Sequence, residues 1–359
     1  MSFPSIEVRL IATFKQGLKE AVSDYNGLDW DDVDPITVQK LLLMGIREFG
    51  LEDEVTIQWY ADGDVLAVLE PGNSLPDRVE GQIESPREIA ITGEDGGEYP
   101  TVDEVATFYN PEKGEGARLG SRSETMPEII QADTFQWLQE YYESRDGPFK
   151  DLYLANLDIH LHNYQSKKAC TPEEDVEFPD DLIEPLEEAT DEMKRELLRY
   201  RIFDGMGPYV TEFRRVAVTI MEWCEEQDTR SMDEETRDEY VPLLSHLNTF
   251  YYQGLWKPIA RMMAVYTVEG PAAHFERAAD WGRLDTVRDK YLDVFGRFQE
   301  TANDYRIELD IREERLPEVW IKKEDISKEE VLNWDIEDSL SKEEVRTISD
   351  DDPAADLLG

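Results

Sequence analysis

His160 and His162, one residue apart, are the first side chains in this sequence that could do chemistry. Paired imidazoles can hold zinc or iron. They share a face only on a strand, however, because on a helix residues two apart point about 200° away from each other. Phe149, Tyr153, Leu157, Leu161 and Tyr164 recur at helical spacing around them, and Pro148 suits the start of that helix. No Cys-x-x-Cys or Glu-x-x-His spacing supplies the further ligands that a zinc site requires. The pattern predicts two partly buried polar residues on a packed helix and no metal. A second candidate is the glycine-rich run with Gly114, Gly116 and Gly120 around Arg118 and Arg122. A phosphate loop would end in Gly-Lys-Ser/Thr after an apolar strand, and neither is present, so a surface loop is expected.

Carboxylates are too common here to single out a catalytic pair. The 359 residues include 82 Asp and Glu against 37 Lys and Arg, a net charge of −45. Cys170 and Cys224 are the two cysteines, and Cys224 lies on an apolar helical stripe. The sequence therefore predicts no catalytic residue, no cofactor and no metal. An enzyme is not expected; the alternative is a metal-dependent one using His160, His162 and a carboxylate.

The acids are spread along the whole chain, which favours adaptation to molar KCl over a single acidic face for a basic partner. At ~1 M salt the screening length is about 3 Å, so surface carboxylates hardly repel one another. The same charge argues against direct nucleic-acid binding, which needs a basic footprint. It also argues against docking on anionic lipid. No run approaches eighteen apolar residues, and Glu7 and Arg9 interrupt any signal-like start. The expected setting is the cytoplasm, or a virus particle assembled inside the cell.

The elements follow from periodicity. Leu10, Phe14, Leu18 and Val22 predict a helix over Ser5–Val22. Asp34-Pro35 opens a second, with Ile36, Leu41, Leu42, Ile46 and Phe49 as its apolar positions and Gly50 as its end. Val55–Tyr60 and Val65–Leu69 flank Asp62-Gly63-Asp64 as a hairpin. Asp133–Ser144 reads as helical. Long helices follow over Ala189–Phe203, Gly207–Gln227, a pair broken at Gly254 and Pro258, and Arg283–Thr301. Ile307, Leu309 and Ile311 alternate as in a strand, with Val319–Ile321 as a partner.

The expected fold is mainly α with a small β component. An N-terminal α+β domain spans 1–166. An acidic, proline-rich linker covers 167–186, an antiparallel helical bundle ending in a β-hairpin covers 187–322, and an acidic tail covers 323–359.

The tail holds the clearest repeat. Ile326-Ser327-Lys328-Glu329-Glu330-Val331 recurs as Leu340-Ser341-Lys342-Glu343-Glu344-Val345. Each copy carries a capping box and a hydrophobic staple. Helices this short are marginal alone. Val331, Leu332, Trp334, Ile336 and Val345 are therefore predicted to dock on a protein partner or on a second copy of the chain.

Thr37-Val38-Gln39-Lys40-Leu41-Leu42-Leu43-Met44, followed by Trp59-Tyr60, resembles the opening of the antitoxin-like Panacea domain. Gln39, Lys40, Leu41 and Leu42 carry the match, while Val38 and Met44 depart from it. The whole chain is also similar to uncharacterised acidic protein families of haloarchaea. Neither likeness supplies catalytic residues. Together they imply a non-catalytic, salt-adapted interaction protein of a halophilic archaeon, regulatory or antitoxin-like. The alternative is a structural component of a haloarchaeal virus particle.

Overall fold

Asp34 accepts hydrogen bonds from the backbone N–H groups of Ile36 and Thr37 at 2.8 and 3.3 Å, and Pro35 takes the first helical position. This cap starts α2, Pro35–Glu48, in the computed structural model, which describes residues 5–69, 99–111, 124–169, 183–200, 206–226 and 244–280 and single positions beyond them. Gly50 ends the helix in the left-handed region at φ 67°. Helix α1, Ser5–Asp24, buries Leu10, Phe14, Leu18 and Val22 completely. The described residues are mainly helical, with one two-stranded antiparallel sheet among them.

Packing divides the chain into two units. The first holds Met1–Lys150 and Met263–Arg277. Here α1 packs on α3, Val102–Tyr109, where Gly17 faces Val105 so closely that an added Cβ would lie 2.6 Å from it. α3 is fixed at its start by a capping box between Thr101 and Glu104. β1, Ile57–Tyr60, pairs with β2, Gly63–Leu66, in the register Ile57↔Leu66 and Tyr60↔Gly63. The connection is therefore Ala61-Asp62, and Asp64 lies inside a strand rather than in the turn. Every residue of both strands is buried.

The open edge of β1 is closed from far along the chain. Ile57 and Glu269 exchange backbone hydrogen bonds of 3.0 and 2.9 Å. The Trp59 N–H donates to Thr267 Oγ1 at 2.8 Å, and the Ala272 N–H donates to Thr56 Oγ1 at 2.9 Å. At Gly270, φ is 103° and an added Cβ would fall on the Val55 carbonyl.

This unit also contains the short α4, Met126–Gln131, and α5, Thr134–Glu143, which buries Trp137, Leu138, Tyr141 and Tyr142. The expected start at Pro148 is delayed. Phe149, fully buried, has φ 57°, and α6 begins at Lys150 and runs to Ala169.

The second unit holds Asp151–Met262 and the residues from Ala278 onward. α7, Glu184–Leu197, packs on α8, Gly207–Glu226, which buries Val210, Phe213, Val216, Ala217, Ile220 and Met221. Arg214 on α8 ties to Glu187 at 2.7 Å and to Asp191 at 2.6 Å on α7.

The expected break at Gly254 and Pro258 is corrected. The chain is helical through 244–267, as an α-turn, a π-helix over Phe250–Trp256 and α9, Lys257–Thr267. The Lys257 N–H reaches back five residues to the Tyr252 carbonyl. The wider π-turn carries Gly254 and leads into Pro258, which lacks the N–H that an unbroken α-helix would need.

The tail, with Val331, Leu332, Trp334, Ile336 and Val345, lies outside the described residues. So do the expected strands over 306–321, Arg118, Arg122, Cys170, the acidic core of the linker and most of 283–301. Among the described residues, no helix is long and apolar enough to cross a membrane.

Candidate functional site

A dense constellation of charge lies in the first unit and was not singled out by any motif. Every residue of α2 from Thr37 to Ile46 is buried, so Lys40 is carried into the core, 1% exposed. Its Nζ donates to the Asp64 backbone carbonyl at 2.6 Å and to Tyr142 Oη at 2.8 Å. It lies 3.6 Å from the Asp64 carboxylate. Tyr142, on α5, completes the arrangement: its Oη accepts the Asp64 N–H at 2.9 Å and donates to Asp64 Oδ1. The hydroxyl is thus used as donor once and as acceptor twice, which saturates it.

Two arginines reach the other carboxylate oxygen. Arg47, seven residues after Lys40 on α2, brings Nη1 to 2.6 Å from Asp64 Oδ2. Arg145, in the turn after α5, brings Nη1 to 3.7 Å from the same atom. Arg145 also donates to Tyr141 Oη and lies 4.9 Å over the Tyr141 ring. Trp59 of β1 covers Tyr142, with the ring centres 5.4 Å apart. Gly63 has φ 82°, and Tyr142 Oη occupies the space a Cβ would need.

The two ends of the ion pair shift differently because their surroundings differ. Burial disfavours charge on Lys40, while Asp64 and Asp62 favour it and Arg47 opposes it; the amine is lowered from 10.5 to about 8. Burial also pushes Asp64 up, but Lys40, Arg47, Arg145 and the Tyr142 hydroxyl outweigh it and hold the carboxyl well below its usual range. Arg145 is lowered by burial, with Asp64 opposing. At neutral pH Lys40 and Asp64 are both charged. The Asp64 carboxylate is engaged by three cations and a hydroxyl, so it is a poor general base. The amine is protonated and sealed from solvent, so it is a poor nucleophile. What the arrangement does well is pin α2, β2 and α5 to one atom group.

The sequence-singled histidines lie in the second unit. His160 is partly buried, its ring 6.1 Å from that of Tyr252, and burial lowers its pKa. His162 is 8% exposed. Near them Tyr251 Oη donates to Asn156 Oδ1 at 2.8 Å. Among the described residues, no three His, Cys, Asp or Glu side chains stand together as metal ligands.

Gln39, Lys40, Leu41 and Leu42 are all interior residues. One signal for the cluster was available. Lys40 falls inside an apolar run that covers every side of its helix, and Arg47 follows two turns later on the same face.

The chain belongs to the family described as a domain of unknown function, DUF8098, which matches residues 1–308. The Lys40–Asp64 cluster lies within that match, and the tail over 323–359 lies beyond it. No curated protein and no solved structure matches the chain.

Proposed function

We propose that this chain is a non-catalytic, salt-adapted interaction protein of a halophilic archaeon, working in concentrated KCl and presenting an acidic exterior. The observation that carries the reading is the excess of 82 acidic over 37 basic residues, with exposed carboxylates on many elements. The interior holds charges of both signs, Glu7, Asp64, Glu196 and Asp280 with Lys40 and Arg261. Lys40 is sealed on Asp64, Arg261 is 9% exposed and paired with the fully buried Asp280, and Arg277 donates to the Val265 and Val268 carbonyls at 3.0 and 3.1 Å. The exposed carboxylates are dispersed: Asp29, Asp31, Asp32, Asp34, Glu52, Asp53, Asp103, Glu104, Glu143 and Asp146 all face solvent. An acidic surface of this kind suits a solvent in which screening acts within about 3 Å. The same excess of carboxylates disfavours nucleic acid and anionic lipid as partners.

The interaction half of the reading rests on the acidic tail with its two capped segments and five apolar side chains, Val331, Leu332, Trp334, Ile336 and Val345. The test joins a thermal melt across KCl concentration with native mass in molar salt. A midpoint rising steeply with KCl, and a small defined oligomer or complex, are the expected results. A midpoint that is flat or falls with KCl would assign the acidity to a basic partner and refute salt adaptation. A large ring or shell would instead make the chain a particle component.

A further inference from the structure

We propose that Arg47 and Arg145 form a clamp for a small oxyanion, a phosphate or a carboxylate, on the first unit. The charge balance gives the first reason. Lys40, Arg47 and Arg145 gather around Asp64, and Asp62 is the other acid that acts on Lys40. Three cations thus face two carboxylates, on a chain whose net charge is −45. A locally positive site runs against the charge of the whole molecule.

The donor count gives the second. A guanidinium carries five N–H donors in a planar fork. Arg47 commits only Nη1, to Asp64 Oδ2. Arg145 also commits only Nη1, to Asp64 Oδ2 and Tyr141 Oη, and its plane rests on the Tyr141 ring. The remaining donors of both have no partner among the described residues, and each side chain is 27% exposed.

The third reason is preorganisation. Arg47 comes from a helix and Arg145 from the turn after another, yet both are held at one oxygen of one buried carboxylate. Their positions are fixed before any ligand arrives, which removes much of the ordering cost of binding. In molar salt, long-range attraction is screened away, and forked, charge-assisted hydrogen bonds at contact distance decide what binds. Arginine pairs of this kind select planar or tetrahedral oxyanions over chloride.

The experiment is isothermal titration calorimetry of the full chain in molar KCl, with inorganic phosphate and, separately, acetate. Saturable binding of at least one of them is expected, and which one binds assigns a phosphoryl or a carboxylate source. R145Q should weaken it by about tenfold or more, the worth of a lost charge-assisted hydrogen bond. R145K, which keeps the charge and loses the fork, should fall between. R214Q, at a guanidinium already engaged by Glu187 and Asp191, should bind as the parent does. R47Q should act like R145Q; if it does not fold, R145Q still decides, because the Arg145 contact with Asp64 is the longer of the two. Heats matching those of added KCl for both anions, or unchanged binding in a folded R145Q, would overturn the proposal.

Discussion

Replacing Asp64 with Asn should damage the fold far more than replacing Lys40 with Met, although the two residues form one ion pair. Asp64→Asn leaves Lys40, Arg47 and Arg145 around a neutral amide, with Lys40 sealed from water. Removing one partner of a buried pair costs about 3–5 kcal/mol, because a charge is left uncompensated. Lys40→Met acts in the other direction. A fall from 10.5 to about 8 means that holding Lys40 charged in place costs about 3 kcal/mol at neutral pH, and Met removes that cost. Against it stands the Asp64 carbonyl, which loses its Nζ donor, a penalty of about 1–3 kcal/mol. Asp64 itself keeps Arg47 at 2.6 Å and the Tyr142 hydroxyl. The two terms nearly cancel, so Lys40→Met should change stability by no more than about 2 kcal/mol. Urea melts of both variants in molar KCl, at one pH, provide the comparison.

The pH dependence gives an independent reading of the same cluster. The Asp64 carboxyl is lowered in the folded chain, so its contribution is full above its unfolded value of about 4 and is lost as pH falls through the folded value. Lys40 behaves oppositely to a surface lysine. Between about pH 8 and pH 10.5 the unfolded chain holds its proton better, so this one group adds stability as pH rises. Lys40→Met should abolish that rise. If Lys40→Met proves as harmful as Asp64→Asn, the amine and not the carboxylate is the centre of the cluster, and the reasoning above is wrong.

Three further outcomes are expected. Gly270→Ala should lower stability by about 2 kcal/mol or more in a denaturant melt, since φ is 103° and the new Cβ meets the Val55 carbonyl; an unchanged midpoint would mean that the segment relaxes away from β1. Deleting 323–359 should leave a cooperatively folded chain by circular dichroism and weaken self-association or partner binding by native mass; loss of the cooperative transition would place the tail in the core. Replacing both His160 and His162 with Asn should leave the bound metal content unchanged and near zero by elemental analysis, and stoichiometric zinc, iron or manganese in the parent protein would revive the enzyme reading.

Local signals carried the elements well. Asp34, Pro35 and Gly50 bound α2 because caps act within a few residues, and the apolar stripe of α1 is buried at every expected position. What pattern could not show was anything that depends on a distant partner. The role of Lys40 was not legible, because a lysine inside a core makes sense only once Asp64 and Tyr142 are beside it. Asp64 looked like turn chemistry next to Gly63, yet the register places it in β2. The helix through 244–267 looked broken at Gly254 and Pro258 because the rules for those residues assume α geometry, which a π-turn relaxes. The histidine pair drew attention by spacing alone, while the cluster that fixes three elements has no spacing signature beyond Lys40 and Arg47.

The closure of the β1 edge sets a timetable for synthesis. Trp59 waits for Thr267, 208 residues later, and Thr56 waits for Ala272, 216 residues later. The whole stretch Asp151–Met262 is made in between. At roughly 5–20 residues per second, a ribosome needs about 10 s or more to travel from Trp59 to Thr267. During that interval the β1 edge of the hairpin is open, the feature most prone to pairing with the wrong strand.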